Sequence, residues 1–132
     1  MKKRKVTVKL LDDASDEYKK LNEIVKEEKT KGIINSPHQT LLKGINDKID
    51  LLKMNCEAGT QIKKKQIPKK YLEEYEVTNL WKINLPSYWR MIYTLKQPLR
   101  EATEINVLSI WLDVLDIIDH GKYDKIFKYK RK

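Results

Sequence analysis

A single cysteine, Cys56, stands in a chain of 132 residues. An internal disulfide framework is therefore excluded, and a cytoplasmic setting is expected. Two histidines and one cysteine are too few for most structural zinc sites, so no metal and no other cofactor is expected. Only four glycines occur and none cluster, which excludes a Gly-rich nucleotide cradle. No apolar run approaches the ~20 residues of a membrane helix, and none follows the basic start as the ~7–15-residue core of a secretory signal would. No membrane partner is expected. What is abundant is charge: 36% of residues are charged, 40% are hydrophobic, and the net charge is +9. That composition fits a globular chain with a heavily charged surface, and residues 1–132 read as one domain.

The positive charge is concentrated. Lys2, Lys3, Arg4, Lys5 and Lys9 open the chain. Lys63, Lys64, Lys65, Lys69 and Lys70 form a central run with no acid among residues 59–72. Residues 121–132 set six bases against Asp124. A body of opposite net sign carrying three basic patches fits a polyanion such as nucleic acid. Basic termini alone also serve solubility, but the central run lies between predicted elements and must be placed by the fold.

Hydrophobic periodicity predicts an α+β fold. Val6, Val8 and Leu10 alternate with Thr7 and Lys9 as in a strand with one buried face. Ser15 reads as a helix N-cap, with Tyr18, Leu21, Ile24 and Val25 as the apolar stripe and Gly32 as the stop. Ser36, Pro37 and Gln39 read as a capping box opening a second helix, whose face is Leu41, Leu42, Ile45, Ile49 and Leu52. Gly44 inside it suggests close packing on the first helix. Period two then sets in. Trp81, Ile83 and Leu85 share one face and Lys82 the other; Trp89, Met91, Tyr93 and Leu95 oppose Arg90, Ile92 and Thr94. The run 104–112 is almost wholly apolar, as a central strand is, and extends through 118 with a bulge near Asp113. Asp119 or His120 starts a short C-terminal helix. The expected architecture is an N-terminal strand, a helical hairpin, then an antiparallel β-meander of three or more strands with that short helix. The helical hairpin covers one face of an antiparallel sheet and the other face is left open.

Lys82 and Arg90 fall on that second face, on neighbouring strands across the short turn Pro86-Ser87-Tyr88. Paired cations suit a phosphodiester, whose transition state gathers charge on its nonbridging oxygens. His120 adds a group that exchanges protons near neutrality, and Tyr123 and Tyr129 lie close by in sequence. The same residues also fit a purely structural role, with Arg90 paired to an acid and His120 capping the last helix. Cys56 has no histidine near it in sequence and reads as inert.

The stretch Asn79-Leu80-Trp81-Lys82-Ile83-Asn84-Leu85-Pro86-Ser87-Tyr88-Trp89-Arg90-Met91-Ile92-Tyr93 resembles the central hairpin of the RelE/ParE toxin superfamily. There a basic strand leads through a turn to an aromatic-Arg-apolar-apolar-aromatic pattern. Residues 116–127 resemble that superfamily's last strand, followed by a base or histidine and a tyrosine, and Ile67-Pro68-Lys69 resembles an element of its archaeal-type RelE-like group. The resemblance implies a RelE-like fold and a toxin of a type II toxin–antitoxin system. Such a toxin is a metal-independent endoribonuclease that cleaves mRNA, often on the ribosome, and is held by an acidic antitoxin. It implies catalytic roles for Lys82, Arg90, His120 and Tyr123. RNA-backbone contacts would come from Lys63, Lys64, Lys65, Lys69 and Lys70, with Lys128 and Tyr129 in the basic tail. The superfamily also holds non-enzymatic members, so a gyrase-directed toxin or an RNA- or ribosome-binding module is the alternative. The glutamate that some relatives use as a base has no clear counterpart here, which leaves the acid–base assignment open.

Overall fold

A computed structural model describes residues 3–97 and 107–127. In chain order the elements are β1 (Lys3–Leu10), α1 (Asp12–Thr30), α2 (Pro37–Met54), β2 (Thr60–Gln61), α3 (Lys69–Tyr75), β3 (Trp81–Asn84), β4 (Arg90–Lys96), β5 (Val107–Ile118) and α4 (His120–Phe127). The strands form one five-stranded sheet in the order β1-β5-β4-β3-β2. The expected meander is present, since β2 through β5 pair antiparallel in sequence order. The sheet as a whole is mixed, because β1 runs parallel to β5 from Lys3↔Val107 to Leu10↔Val114. The α1–α2 hairpin sends the chain away from β1, and the meander brings it back to lie alongside. The architecture is α+β.

Each sheet face carries its own core. Trp81, Ile83, Leu85, Met91, Tyr93, Leu112 and Val114 pack against Leu21 and Val25 of α1 and Leu41, Ile45 and Leu52 of α2. Trp89 also packs on this side, as its alternation with Arg90 predicts. The opposite face is not open, contrary to the expectation from sequence. Leu80, Ile92, Leu115 and Ile118 are buried there under Ile62, Ile67 and Tyr71 of the 62–75 segment and Tyr123 of α4. That cover was missed because α3 has only seven residues, too few for a periodic stripe to register.

Three local outcomes refine the helical hairpin. α1 begins at Asp12 rather than beyond Ser15, because Leu11 donates its N–H to Val114 O at 2.9 Å while its own carbonyl accepts from Ala14 N and Ser15 N. Strand passes directly into helix, which leaves Ser15 inside the first turn. At the other end Gly32 takes φ +81, the left-handed conformation that stops a helix. Ser36 caps α2 as expected, its Oγ accepting from Gln39 N at 3.1 Å. The Gln39 side chain, however, reaches Ile33 O at 3.0 Å and Glu28 Oε1 at 3.3 Å instead of closing a capping box. Glu28 also accepts from Ser36 Oγ and lies 2.9 Å from His38 Nδ1, so one carboxylate joins the end of α1 to the start of α2. Hydrogen bonds, first from Ser36 and then from His38, hold its pKa below the ordinary carboxylate value.

Gly44 packs on the β3–β4 turn, not on α1. A Cβ there would stand 2.4 Å from Pro86 Cδ. Gly44→Ala should therefore destabilise the protein by about 1–3 kcal/mol through overpacking, against the ~1 kcal/mol that alanine gains in helix propensity. Urea unfolding measures the sign, and a rise in midpoint would show that Pro86 yields. A second expectation concerns pH. A depressed carboxylate pKa stabilises the fold above the unfolded-state value and ceases to do so as pH falls through the folded-state value. Glu28→Gln should thus lower the urea midpoint at neutral pH and narrow its difference from wild type near pH 3.

Candidate active site

The β3–β4 hairpin and the start of α4 build the site together. Register pairs Asn84 with Arg90 and Lys82 with Ile92, which sets Lys82 and Arg90 diagonally on the face away from the helical hairpin. On the other side of β4, Arg90 pairs with Ile118, the last residue of β5. Asp119 then turns the chain, its Oδ1 accepting from Lys122 N at 2.8 Å as an N-cap. One turn into α4, Tyr123 is 4% exposed and stacks on Phe127 with centroids 4.4 Å apart. Lys82 Nζ lies 5.2 Å from the Tyr123 ring centroid and Arg90 Cζ lies 5.4 Å from it. Two cations share one aromatic ring, each contact worth roughly 0.5–2 kcal/mol depending on desolvation.

Among the described residues, Arg90 meets no acid of the kind a structural role would pair with it. Among the described residues no carboxylate lies within ion-pair distance of its guanidinium. Nη1 donates to Trp89 O at 3.2 Å, and Nε is buried with no hydrogen-bond partner.

His120 stands at the exposed rim, with 48% of its side chain open and Nε2 3.3 Å from Asp124 Oδ2. It is not the cap of α4, since Asp119 fills that role. Its ring lies 6.1 Å from that of Tyr88, which is 73% exposed. The turn presenting Tyr88 holds Ser87 at φ 60 and Tyr88 at φ 64, left-handed conformations that cost a non-glycine residue roughly 1–3 kcal/mol each. Leu85 N donating to Trp89 O at 2.9 Å closes the turn, and Gly44 lets α2 back it. Sequence reasoning took Tyr88 only as a turn residue. The available signal was an aromatic ring in a tight turn between two cation-bearing strands.

The four candidate catalytic residues thus divide. Lys82, Arg90 and Tyr123 meet, and His120 precedes Tyr123 by one helical turn. They do not all lie on a solvent-open face, because Tyr123 is covered.

The candidate RNA-binding lysines divide as well. Ile62 and Ile67 anchor the connecting segment in the second core, which leaves Lys63, Lys64, Lys65 and Lys69 exposed. Lys70 is engaged within the fold: its Nζ is 3.1 Å from Asp116 Oδ2 and 4.0 Å from Asp13 Oδ2. Lys128 and Tyr129 lie outside the described residues. Asp116 is 2% exposed and also accepts from Tyr71 Oη at 2.8 Å. Burial, reinforced by the Asp116 charge, raises the Tyr71 phenol well above its ordinary pKa. Among the described residues, no three acidic, histidine or cysteine side chains gather as metal ligands would. Two shallow hollows run along the α1–α2 hairpin, both touching Val25, Lys29 and Leu42, and neither reaches the candidate residues.

Removing Asp116 should uncouple α3 from the sheet. Asp116→Ala leaves Lys70 and the Tyr71 hydroxyl without their acceptor, and should cost about 3 kcal/mol, the lower end for breaking a buried ion pair. Asp116→Asn, which can still accept a hydrogen bond, should cost less. Equal urea midpoints for Asp116→Ala and wild type would show that the network is not stabilising.

Compared with protein-family models, with curated proteins and with solved structures, the chain matches none of them.

Proposed function

We propose that this protein is a RelE-like toxin, a metal-independent endoribonuclease acting on mRNA and held in check by an acidic antitoxin. The observation that carries the reading is the pairing of Lys82 and Arg90 on the Tyr123 ring, with no carboxylate among the described residues neutralising Arg90. An arginine half-removed from water, with no anion among the described residues, is poised to receive one. The α+β class, with a helical hairpin on one face of the sheet, is compatible with the fold that the resemblance implies.

RNA supplies its own nucleophile. The 2′-hydroxyl attacks the adjacent phosphorus, the bond from phosphorus to the 5′-oxygen breaks, and the products are a 2′,3′-cyclic phosphate and a 5′-hydroxyl. Lys82 and Arg90 stabilise the charge that grows on the nonbridging oxygens. His120, open to solvent one helical turn before Tyr123, exchanges one of the two protons that must move. Tyr123, being covered, serves as a positioning residue that fixes both cations. Lys63, Lys64, Lys65 and Lys69 attract the RNA backbone.

A second reading is a binding module without catalysis. It is favoured by the burial of Tyr123 and by the His120–Asp124 contact within α4, both of which a structural role explains.

Cleavage assays on free mRNA with EDTA present, and on programmed ribosomes in their ordinary magnesium buffer, separate the two. Arg90→Ala should lower the cleavage rate by ~10²–10³-fold, as loss of a preorganised donor does, while RNA affinity falls much less. His120→Gln should slow cleavage and flatten its pH profile. A wild-type protein that leaves RNA intact in both settings establishes the binding module.

A further inference from the structure

The cover on the second sheet face is incomplete. The segment 62–75 and α4 lie over Leu80, Ile92, Leu115 and Ile118, toward the end of the sheet that holds Arg90. At the other end, among the described residues, no helix crosses β1, β5 and β4. Trp111 stands there on β5, 41% exposed, whereas Trp81 is 9% exposed. Ile110 and Leu112 on either side of it point into the helix-packed core, which fixes the indole on the opposite face. Thr7 lies directly across from it on β1, and Lys96 directly across on β4. Lys5 and Lys9 flank Thr7 on that face, since Val6 and Val8 pack the other way. All three of these β1 residues are exposed. Lys96 Nζ holds Asp113 at 3.1 Å, which neutralises the one acid among the described residues of the patch.

We propose that this end of the sheet is a stacking platform for single-stranded RNA, with one base on the Trp111 indole and the neighbouring phosphates on Lys5 and Lys9. A lone exposed apolar residue needs no explanation, but this indole is bordered by cations and a hydroxyl rather than by further apolar groups. A dry protein interface is depleted of charge at its centre, so this border argues against one. A second copy of the chain would bring Lys5 and Lys9 against like charges across a twofold contact. A stacked base with flanking phosphates satisfies both parts of the patch, the ring through its π-face and the lysines through their charge. The proposal rests on the reading of the previous subsection only for the choice of RNA as the polymer. It adds a contact remote from the cation pair: Lys96 is six steps along β4 from Arg90, about 20 Å at the ordinary strand rise.

The test is binding of a 2′-O-methyl oligouridine of about a dozen nucleotides, which cannot be cleaved through its 2′-oxygen. In the wild type, saturation should quench tryptophan fluorescence. Trp111→Ala should weaken binding by roughly 5- to 100-fold, the range for losing one stacked base, while Trp111→Tyr keeps affinity within a few fold. Replacing both Lys5 and Lys9 by Ala should flatten the salt dependence by about 0.7 log units per lost phosphate contact. Unchanged affinity in a folded Trp111→Ala overturns the proposal, as does absence of quenching in the wild type, a readout that needs no variant. Self-association abolished by Trp111→Ala at constant RNA affinity also overturns it, in favour of a second copy. Wild-type cleavage with no effect of Trp111 on binding sinks this proposal and leaves the ribonuclease reading standing. Trp111-dependent binding without any cleavage does the reverse.

Discussion

The strand β5 pairs on both edges and from Leu112 to Ile118 is buried on both faces, and a single irregularity lets it be so. Ile92 pairs with Asp116 but Tyr93 pairs with Val114, so Leu115 is the extra residue of a β-bulge. Leu115 and Asp116 consequently fall on the same face, and the alternation changes phase. Before the bulge Leu112 and Val114 point to the helical hairpin; beyond it Ile117 does, while Ile118 joins the second core. Without that shift Asp116 would face the apolar side chains under α1 and α2, where no partner waits. With it, the carboxylate meets Lys70 and Tyr71, α3 is tied down, and the chain leaves β5 aimed to fold α4 back over Arg90.

Much of this was legible in the residues, and the parts that were not share a cause. Ser36-Pro37, the alternation through Trp81 and Trp89, and the common face of Lys82 and Arg90 follow from periodicities of 3.6 and 2 and from capping chemistry, all local properties. A bulge in β5 was also anticipated, two residues away from where it lies. What escaped depends on contacts distant in sequence. Nothing near Gly44 announces Pro86 as its neighbour. Nothing near Asp116 announces Lys70. The start of α1 was misplaced because a hydrogen bond from Leu11 to Val114 closes the turn that a side-chain cap usually closes. The candidate site was read in the same uneven way: its two cations came from strand alternation, while the covering of Tyr123 needed the docking of α4.

That docking sets the electrical character of the site. Both cations rest on one aromatic face, which positions their charge against a ring that does not carry an opposing one. Asp116 and Asp113 lie on the same sheet face, yet each is engaged by a lysine of its own, Lys70 and Lys96. The acids that burial forces into the sheet are thereby neutralised by nearby lysines. Neither of these two acids is in ion-pair contact with Arg90.

The parallel pairing of β1 with β5 has a consequence for the birth of the molecule. Lys3 finds its partner Val107 about a hundred residues later, among the longest closures that the sheet contains. The α1–α2 hairpin and the β3–β4 pair can assemble from neighbouring residues, but β1 has no strand to join until β5 exists. On the ribosome, β1 must therefore wait with its apolar face uncovered while nearly all the rest is made. Lys5 and Lys9, exposed on that strand, are well suited to that interval. Charge spaced along a waiting strand discourages it from pairing with the wrong edge. The cation pair matures on the same schedule, since Arg90 acquires its aromatic support only when α4 has followed β5 into place.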